Sequence, residues 1–186
     1  AAVAYTSTIA KADLYESEVE MLGSDSADRR FRASIRAAEL ARDRTRELER
    51  ALRNYEYAAS LAELPAAASL ELANLYERAG KREAFALALE RWCDHAHAQA
   101  SCADEIRLAQ ALEEIGRAGE ARRRIDRALE RDPEQRDAWD LAARLREQAG
   151  DAVGAAEALA GAARLSSDPE GCARLLRAAT LLETAS

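Results

Sequence analysis

Residues 108–162 read LAQALEEIGRAGEARRRIDRALERDPEQRDAWDLAARLREQAGDAVGAAEALAGA, and two glycines in this stretch, Gly116 and Gly150, stand 34 apart. Each follows an apolar run of helical periodicity and precedes another, the place where Gly ends a helix in a left-handed cap. Working outward, Gly80 lies 36 residues before Gly116, and Ser186 stands 36 beyond Gly150. The prolines keep the same beat: Pro65 to Pro133 is 68 residues and Pro133 to Pro169 is 36. Asp132-Pro133 and Asp168-Pro169 read as an N-cap followed by Pro at the first helical position. The beat predicts pairs of antiparallel helices joined by tight turns, each pair about 34 residues long.

Composition agrees. Hydrophobic residues make up 48% of the 186 residues but aromatics only 5%, with 8 Gly and 3 Pro, so Ala and Leu, good helix formers, carry the apolar content. The chain reads as all-α, with about ten helices over 2–22, 28–43, 45–63, 66–79, 82–100, 102–115, 118–131, 134–148, 152–165 and 170–184. Stripes such as Tyr5, Ile9, Ala12, Val19 and Leu22, or Leu48, Leu52, Tyr55, Ala59 and Ala62, or Phe85, Leu89, Trp92 and Ala96, face a core. Ser101 and Asp104 have capping-box spacing, and residues 23–26, Gly-Ser-Asp-Ser, read as a loop. The organisation expected is one helical repeat domain over 1–186: an orphan helix at 1–23, a degenerate repeat at 28–63, repeats at 66–100, 102–135 and 136–169, and a final half repeat or capping helix at 170–186.

These residues resemble the tetratricopeptide repeat, whose 34-residue pattern is W-x2-L-G-x2-Y, then A-x3-F, then P. Trp139-x2-Ala142-Ala143, Gly150, Ala155-x3-Leu159 and Ala162 carry it, preceded by Leu108-Ala109-x2-Leu112, Gly116, Ala121-x3-Ile125, Ala128 and Pro133. Ser69-x2-Leu72-Ala73-x2-Tyr76 with Gly80 is another first helix, and Leu175-x2-Ala178-Ala179-x2-Leu182 a further one. The close-contact alanines Ala73, Ala109, Ala143 and Ala179 repeat the glycine spacing. The resemblance is clear over 66–186 and degenerate over 28–63, and it implies a right-handed α-solenoid of antiparallel helix pairs.

The resemblance also implies a concave groove lined by the first helix of each pair. Its lining falls on Ala67, Leu70, Asn74 and Glu77; Ala103, Ile106, Gln110 and Glu113; Asp137, Asp140, Arg144 and Glu147; and Ala173, Leu176, Thr180 and Glu183. An apolar spine with carboxylates along one rim suits a peptide or partner segment with apolar anchors and some Lys or Arg. Leu70 and Ile106 are expected anchors that tolerate substitution by Glu without loss of fold. Chaperone adaptors of this family clamp a C-terminal carboxylate with Lys, Arg and Asn; Asn74 matches one position, but Leu70 and Asp137 stand where Lys is needed, so no clamp is expected.

Other features point away from chemistry. No Gly-rich phosphate loop, G-x-S-x-G, H-E-x-x-H or paired C-x-x-C occurs, so no enzyme activity and no cofactor are expected. Cys93, His97 and Cys102 are the most that could converge as metal ligands, since His95 points roughly 200° away from Cys93 on one helix; no metal site is expected. The net charge of -7 argues against nucleic acid, and no uncharged run approaches the roughly 20 apolar residues of a membrane span. Charge is uneven: residues 1–28 sum to -5 and residues 29–60 to +4 with nine Arg, a stretch suited to an acidic partner. The run Arg122-Arg123-Arg124 with Arg127 and Arg131 reads as a solvated outer face. Leu175, Leu176, Leu181 and Leu182 crowd more than one face of the last helix, which suits self-association. The chain opens Ala-Ala-Val-Ala without Met or a readable signal peptide, so it reads as an excerpt of something longer, with the cytoplasm favoured. The function expected is a protein-interaction scaffold of a bacterial protein; the alternative is a regulatory or sensor module of a larger signalling or transcriptional protein.

Overall fold

The computed structural model describes residues 2–22, 26–42, 47–95, 100–166 and 168–184. All the regular structure among them is helical, in ten helices: α1 (Ala2–Met21), α2 (Ala27–Leu40), α3 (Leu48–Leu61), α4 (Ala66–Arg78), α5 (Arg82–His95), α6 (Cys102–Glu114), α7 (Ala118–Arg131), α8 (Arg136–Gln148), α9 (Ala152–Arg164) and α10 (Asp168–Thr184). They fall into two compact units, residues 1–95 and 96–186. His97, the last residues of the helix expected to reach 100, and residues 23–25 of the expected loop lie outside the described residues.

In the first unit α1 packs on α2, α2 on α3, α3 on α4 and α4 on α5. Its core joins Ala38, Ala41, Ala51, Leu52, Tyr55, Ala68, Leu72 and Leu75. The stripe read in α5 points inward, with Phe85, Leu89 and Trp92 all buried. In the second unit α6 packs on α7, α8 on both α7 and α9, and α10 on α9. The small residues of the repeat pattern are where these helices meet: Ala109, Ala121, Ala128, Ala155 and Ala162 are fully buried and Ala143 is 2% exposed. In the first unit Ala73 is likewise fully buried. A methyl side chain lets two backbones approach closely, which explains why the beat of alanines tracks the beat of turns.

The turns repeat atom for atom. Gly80, Gly116 and Gly150 have φ of 70°, 80° and 76°. The glycine N–H donates to the carbonyl three residues back (Glu77, Glu113, Glu147 at 3.0, 3.0 and 2.9 Å). The next residue donates to the carbonyl five back (Tyr76, Leu112, Arg146 at 3.0, 2.8 and 2.9 Å), which is the Schellman arrangement. Starts are capped locally: Ser101 accepts from the Asp104 N–H and Asp104 reaches back to the Ser101 N–H, a complete capping box, while Asp151 accepts from the Gly154 N–H at 2.8 Å.

Three expectations change. Pro133 does not open α8: it lies in a turn, and the helix starts at Arg136. Asp132 closes α7 and organises that turn instead, accepting from the Glu134 N–H at 3.1 Å and the Gln135 side chain at 2.6 Å. The freed Pro133 carbonyl accepts from the Trp139 indole at 2.8 Å, which pins the ring over Gly161. Pro169 lies inside the first turn of α10 rather than after an N-cap at Asp168, a place where its missing N–H forfeits no helix bond. Ala179, fourth of the close-contact alanines, is exposed, because α10 meets α9 through Gly171 and Ala178 on another face.

Candidate functional site

The first helices of the second unit, α6, α8 and α10, lie in succession, and α8 and α10 border a cleft of about 590 Å³. Its apolar floor is Ala143, Leu159 and Ala173, and its walls carry Arg136, Asp140, Arg144, Glu147, Glu170, Arg174 and Arg177. Ala143 and Leu159 belong to the buried core, whereas Ala173 is exposed.

Three of the carboxylates expected along the rim, Glu113, Asp140 and Glu147, are held by arginines of the following first helix. Glu113 of α6 accepts both hydrogen bonds of the Arg144 fork from α8, at 3.0 and 2.7 Å, and also one from Gln148 at 2.9 Å. Asp140 of α8 accepts the Arg174 fork from α10 at 2.8 and 2.7 Å, and these bonds hold the Arg174 guanidinium charged well beyond its ordinary range, outweighing the opposing effect of burial. Glu147 binds Arg177 at 2.6 Å, and Arg136 of α8 reaches Glu170 of α10 at 3.5 Å. The result is a ladder of guanidinium–carboxylate pairs running from one first helix to the next. Ladders on exposed surface stabilise little, roughly 0–1 kcal/mol per pair, but they leave the cleft close to neutral and rich in both donors and acceptors. Asp137, exposed, lies 3.9 Å from the Arg136 guanidinium.

Not every expected lining residue is available to a partner. Ile106 is 8% exposed and belongs to the α6 core, so a charge there would be buried and the fold would not tolerate Ile106→Glu. Gln110 is exposed. Leu70, Asn74 and Glu77 sit on α4 of the first unit, the first two half-buried and Glu77 exposed, and both Asn74 and Glu77 already have polar partners. Leu176 is 71% exposed.

The two basic stretches are largely satisfied within the chain. Arg124 is 7% exposed and faces the buried Glu105 at 3.7 Å, so it departs from the solvated face read for the run at 122–131, while Arg123, Arg127 and Arg131 are exposed and Arg131 donates to the Ala100 carbonyl at 2.7 Å. In the first unit Arg29, Arg32, Arg36, Arg42 and Arg50 each hold a carboxylate. Cys93 is buried in α5, and Cys102 of α6 donates its thiol to the Ala128 carbonyl at 3.4 Å; burial, then the Asp132 charge, pushes the Cys102 thiol up. Among the described residues no group of three or more His, Cys, Asp or Glu is placed to hold a metal ion, and no helix is long and apolar enough to cross a membrane.

Sequence reasoning missed two features. Gly161 lies mid-helix in α9, where a Cβ would come within 2.6 Å of the Trp139 ring; a Gly inside an otherwise good helix is the available signal. The ladder also had a signal: opposite charges one repeat apart, as in Asp140 with Arg174 and Arg136 with Glu170.

A tetratricopeptide-repeat family model matches residues 105–145. No curated protein matches the chain by sequence. Among solved structures, YrrB, described as a TPR protein with an unusual peptide-binding site, is similar with a TM-score of 0.64 at 16% identity, over 92% of this chain and 84% of that one. MamA of AMB-1 gives a TM-score of 0.63 at 20% identity, over 90% and 94% of the two chains. A tetratricopeptide repeat protein from Parabacteroides merdae gives 0.63 at 14% identity, over 83% of this chain and 60% of its own.

Proposed function

We propose that this chain, whose fold is similar to that of tetratricopeptide-repeat proteins, is a non-catalytic interaction scaffold taking a peptide or partner segment along α8 and α10 of its second unit. The observation that carries the reading is the cleft of about 590 Å³ with an apolar floor at Ala143, Leu159 and Ala173. A bound segment would set an apolar side chain on that floor, and its main-chain groups would meet the paired guanidinium and carboxylate groups on either side. Because Asp140 and Glu147 already hold Arg174 and Arg177, a partner's charge is read by exchange within these pairs rather than by attraction to bare carboxylates. Burial of a few apolar groups at about 25 cal/mol per Å² then supplies most of the affinity. The solved YrrB is described as having an unusual peptide-binding site, which supports a peptide-binding role for the fold without specifying a site here.

The test is selection of peptides from a displayed random library on the full chain, followed by affinity measurements on two variants. Ala173→Glu places a charge on the exposed part of the floor, and Arg123→Glu changes an exposed residue of α7. Peptides that lose binding to Ala173→Glu and keep it with Arg123→Glu support the cleft. Equal binding to both variants removes the cleft as the site.

A further inference from the structure

We propose that α10 is a self-association face: two copies of the chain pair their α10 helices antiparallel about a two-fold axis at Arg177. The face lies on the opposite side of α10 from the cleft. Glu170 and Arg177, which border the cleft, are turned roughly 180° and 160° from Ala179, at about 100° per residue. The face therefore stands or falls apart from the cleft reading.

α10 has two apolar sides, and α9 takes only one. Gly171 and Ala178 are buried and Leu181 is half-buried, and a Cβ at Gly171 would stand 3.1 Å from the Ala163 carbonyl of α9. Cys172, Leu175, Ala179 and Leu182 are all exposed, the two leucines to 52% and 45%. Their spacing of three, four and three residues makes one continuous seam, the spacing by which one helix packs along another. The complete pairs of the second unit show what such a seam receives. One repeat earlier, Ala143 is 2% exposed and Trp139 lies against Gly161 of α9. Two repeats earlier, Ala109 and Leu112 are fully buried and Cys102 donates to the Ala128 carbonyl of α7. Ala143 and Ala109 are the counterparts of Ala179, Trp139 of Leu175, Leu112 of Leu182 and Cys102 of Cys172. In α6 and α8 the seam is thus covered by the antiparallel helix of the same pair, whereas in α10 it is open.

A second α10 fits the seam. In an antiparallel pair centred on residue 177, Leu175 meets the partner's Ala179 and Cys172 meets the partner's Leu182. Every layer then sets one leucine against one smaller side chain, so volume is even along the seam. A parallel pair instead sets leucine on leucine and alanine on alanine, crowded and hollow by turns, and brings together the two copies of Glu183, exposed beside the seam. Antiparallel pairing parts those carboxylates by about 18 Å along the axis, at about 1.5 Å per residue, beyond the roughly 8–10 Å over which exposed charges act. The arrangement is isologous, so it closes at two copies. A seam this short makes a small interface, and the dimer is accordingly weak.

Sedimentation equilibrium of the full chain measures the association. Wild type is expected to pass from monomer to dimer with a Kd between about 1 μM and 1 mM. Leu175→Glu places a charge in the seam of both copies and is expected to raise that Kd at least about tenfold. Arg123→Glu, on the exposed side of α7, leaves the Kd unchanged, and circular dichroism reports the same helicity for all three proteins. Orientation is read separately. Leu182→Cys, mildly oxidised at the same concentrations, is expected to give a dimer whose disulfide joins residue 172 of one copy to residue 182 of the other, mapped by peptide mass spectrometry. This second readout stands even where Leu175→Glu loses its fold. A chain that stays monomeric up to about 1 mM overturns the proposal and leaves the face to a different helix. A dimer indifferent to Leu175→Glu overturns it as well, as does a disulfide joining residue 172 to residue 172, or an assembly that keeps growing with concentration.

Discussion

Replacing Arg124 by Met, alone and together with Glu105→Leu, is expected to give effects of opposite character. The two side chains are 9% and 5% exposed and face each other at 3.7 Å between α6 and α7. Removing the guanidinium alone leaves a carboxylate in the core, and such half-removed buried pairs cost about 3–5 kcal/mol. Removing both charges deletes the desolvation penalty along with the attraction, so the double variant is expected within about 1 kcal/mol of wild type or above it. Urea denaturation followed by far-UV circular dichroism measures both. With m of about 1–3 kcal/mol per molar for a small protein, the single variant's midpoint falls by at least about 1 M while the double variant's returns. A single variant that loses less than about 1 kcal/mol, or a double variant that loses the sum of the two singles, would refute the reasoning that the pair is buried and mutually dependent.

Glycine substitutions divide by surroundings. Gly161→Ala forces a Cβ to within 2.6 Å of the Trp139 ring and is expected to destabilise by about 1–3 kcal/mol despite the better helix propensity of Ala. Gly119→Ala meets nothing within 4 Å and is expected to be neutral or to stabilise by up to about 1 kcal/mol, so opposite signs in thermal melts check the contact. Gly116→Ala, at φ +80°, is expected to lower stability by about 1–2 kcal/mol with nothing in its way, a backbone effect alone. Acid should release α1. Burial works against the Glu16 charge, but the bonds from Arg50 and Asn54 outweigh it and hold this carboxyl below 4.5. The stabilisation is therefore whole above 4.5 and lost as pH falls through the lowered folded value; Asp13, Glu47, Arg50 and Arg53 share the site. Exchange of α1 amides, corrected for intrinsic rates, should accelerate there before that of α3, and simultaneous release of both helices would count against it.

Much of the fold was legible because a repeat states its rule several times. Gly80, Gly116 and Gly150 mark equivalent left-handed caps, and the alanines of the repeat pattern mark helix crossings, so the bounds expected for α4, α6, α7 and α9 agree with the structure to within a residue. What escaped depends on pairing across helices. Pro133 was read as a helix opener from its local neighbours, whereas its carbonyl is committed to Trp139, six residues on. Arg124 sits in a run of arginines that looks solvated, and only its opposition to Glu105 from α6 draws it inward. Of the residues lining the cleft, repeat position gave Asp140, Arg144, Glu147 and Ala173 but not Arg136, Glu170, Arg174 or Arg177, and whether Glu113, Asp140 and Glu147 stand free depends on arginines one helix away.

The most direct test of the scaffold reading is backbone amide chemical-shift mapping of the full chain with a peptide selected on it. The account predicts shifts concentrated on α8 and α10 around Ala143, Ala173 and Arg177, with α7 and the outer side of α9 unchanged. Shifts concentrated on α7 around Arg122 and Arg123, or spread without focus over both units, would contradict it.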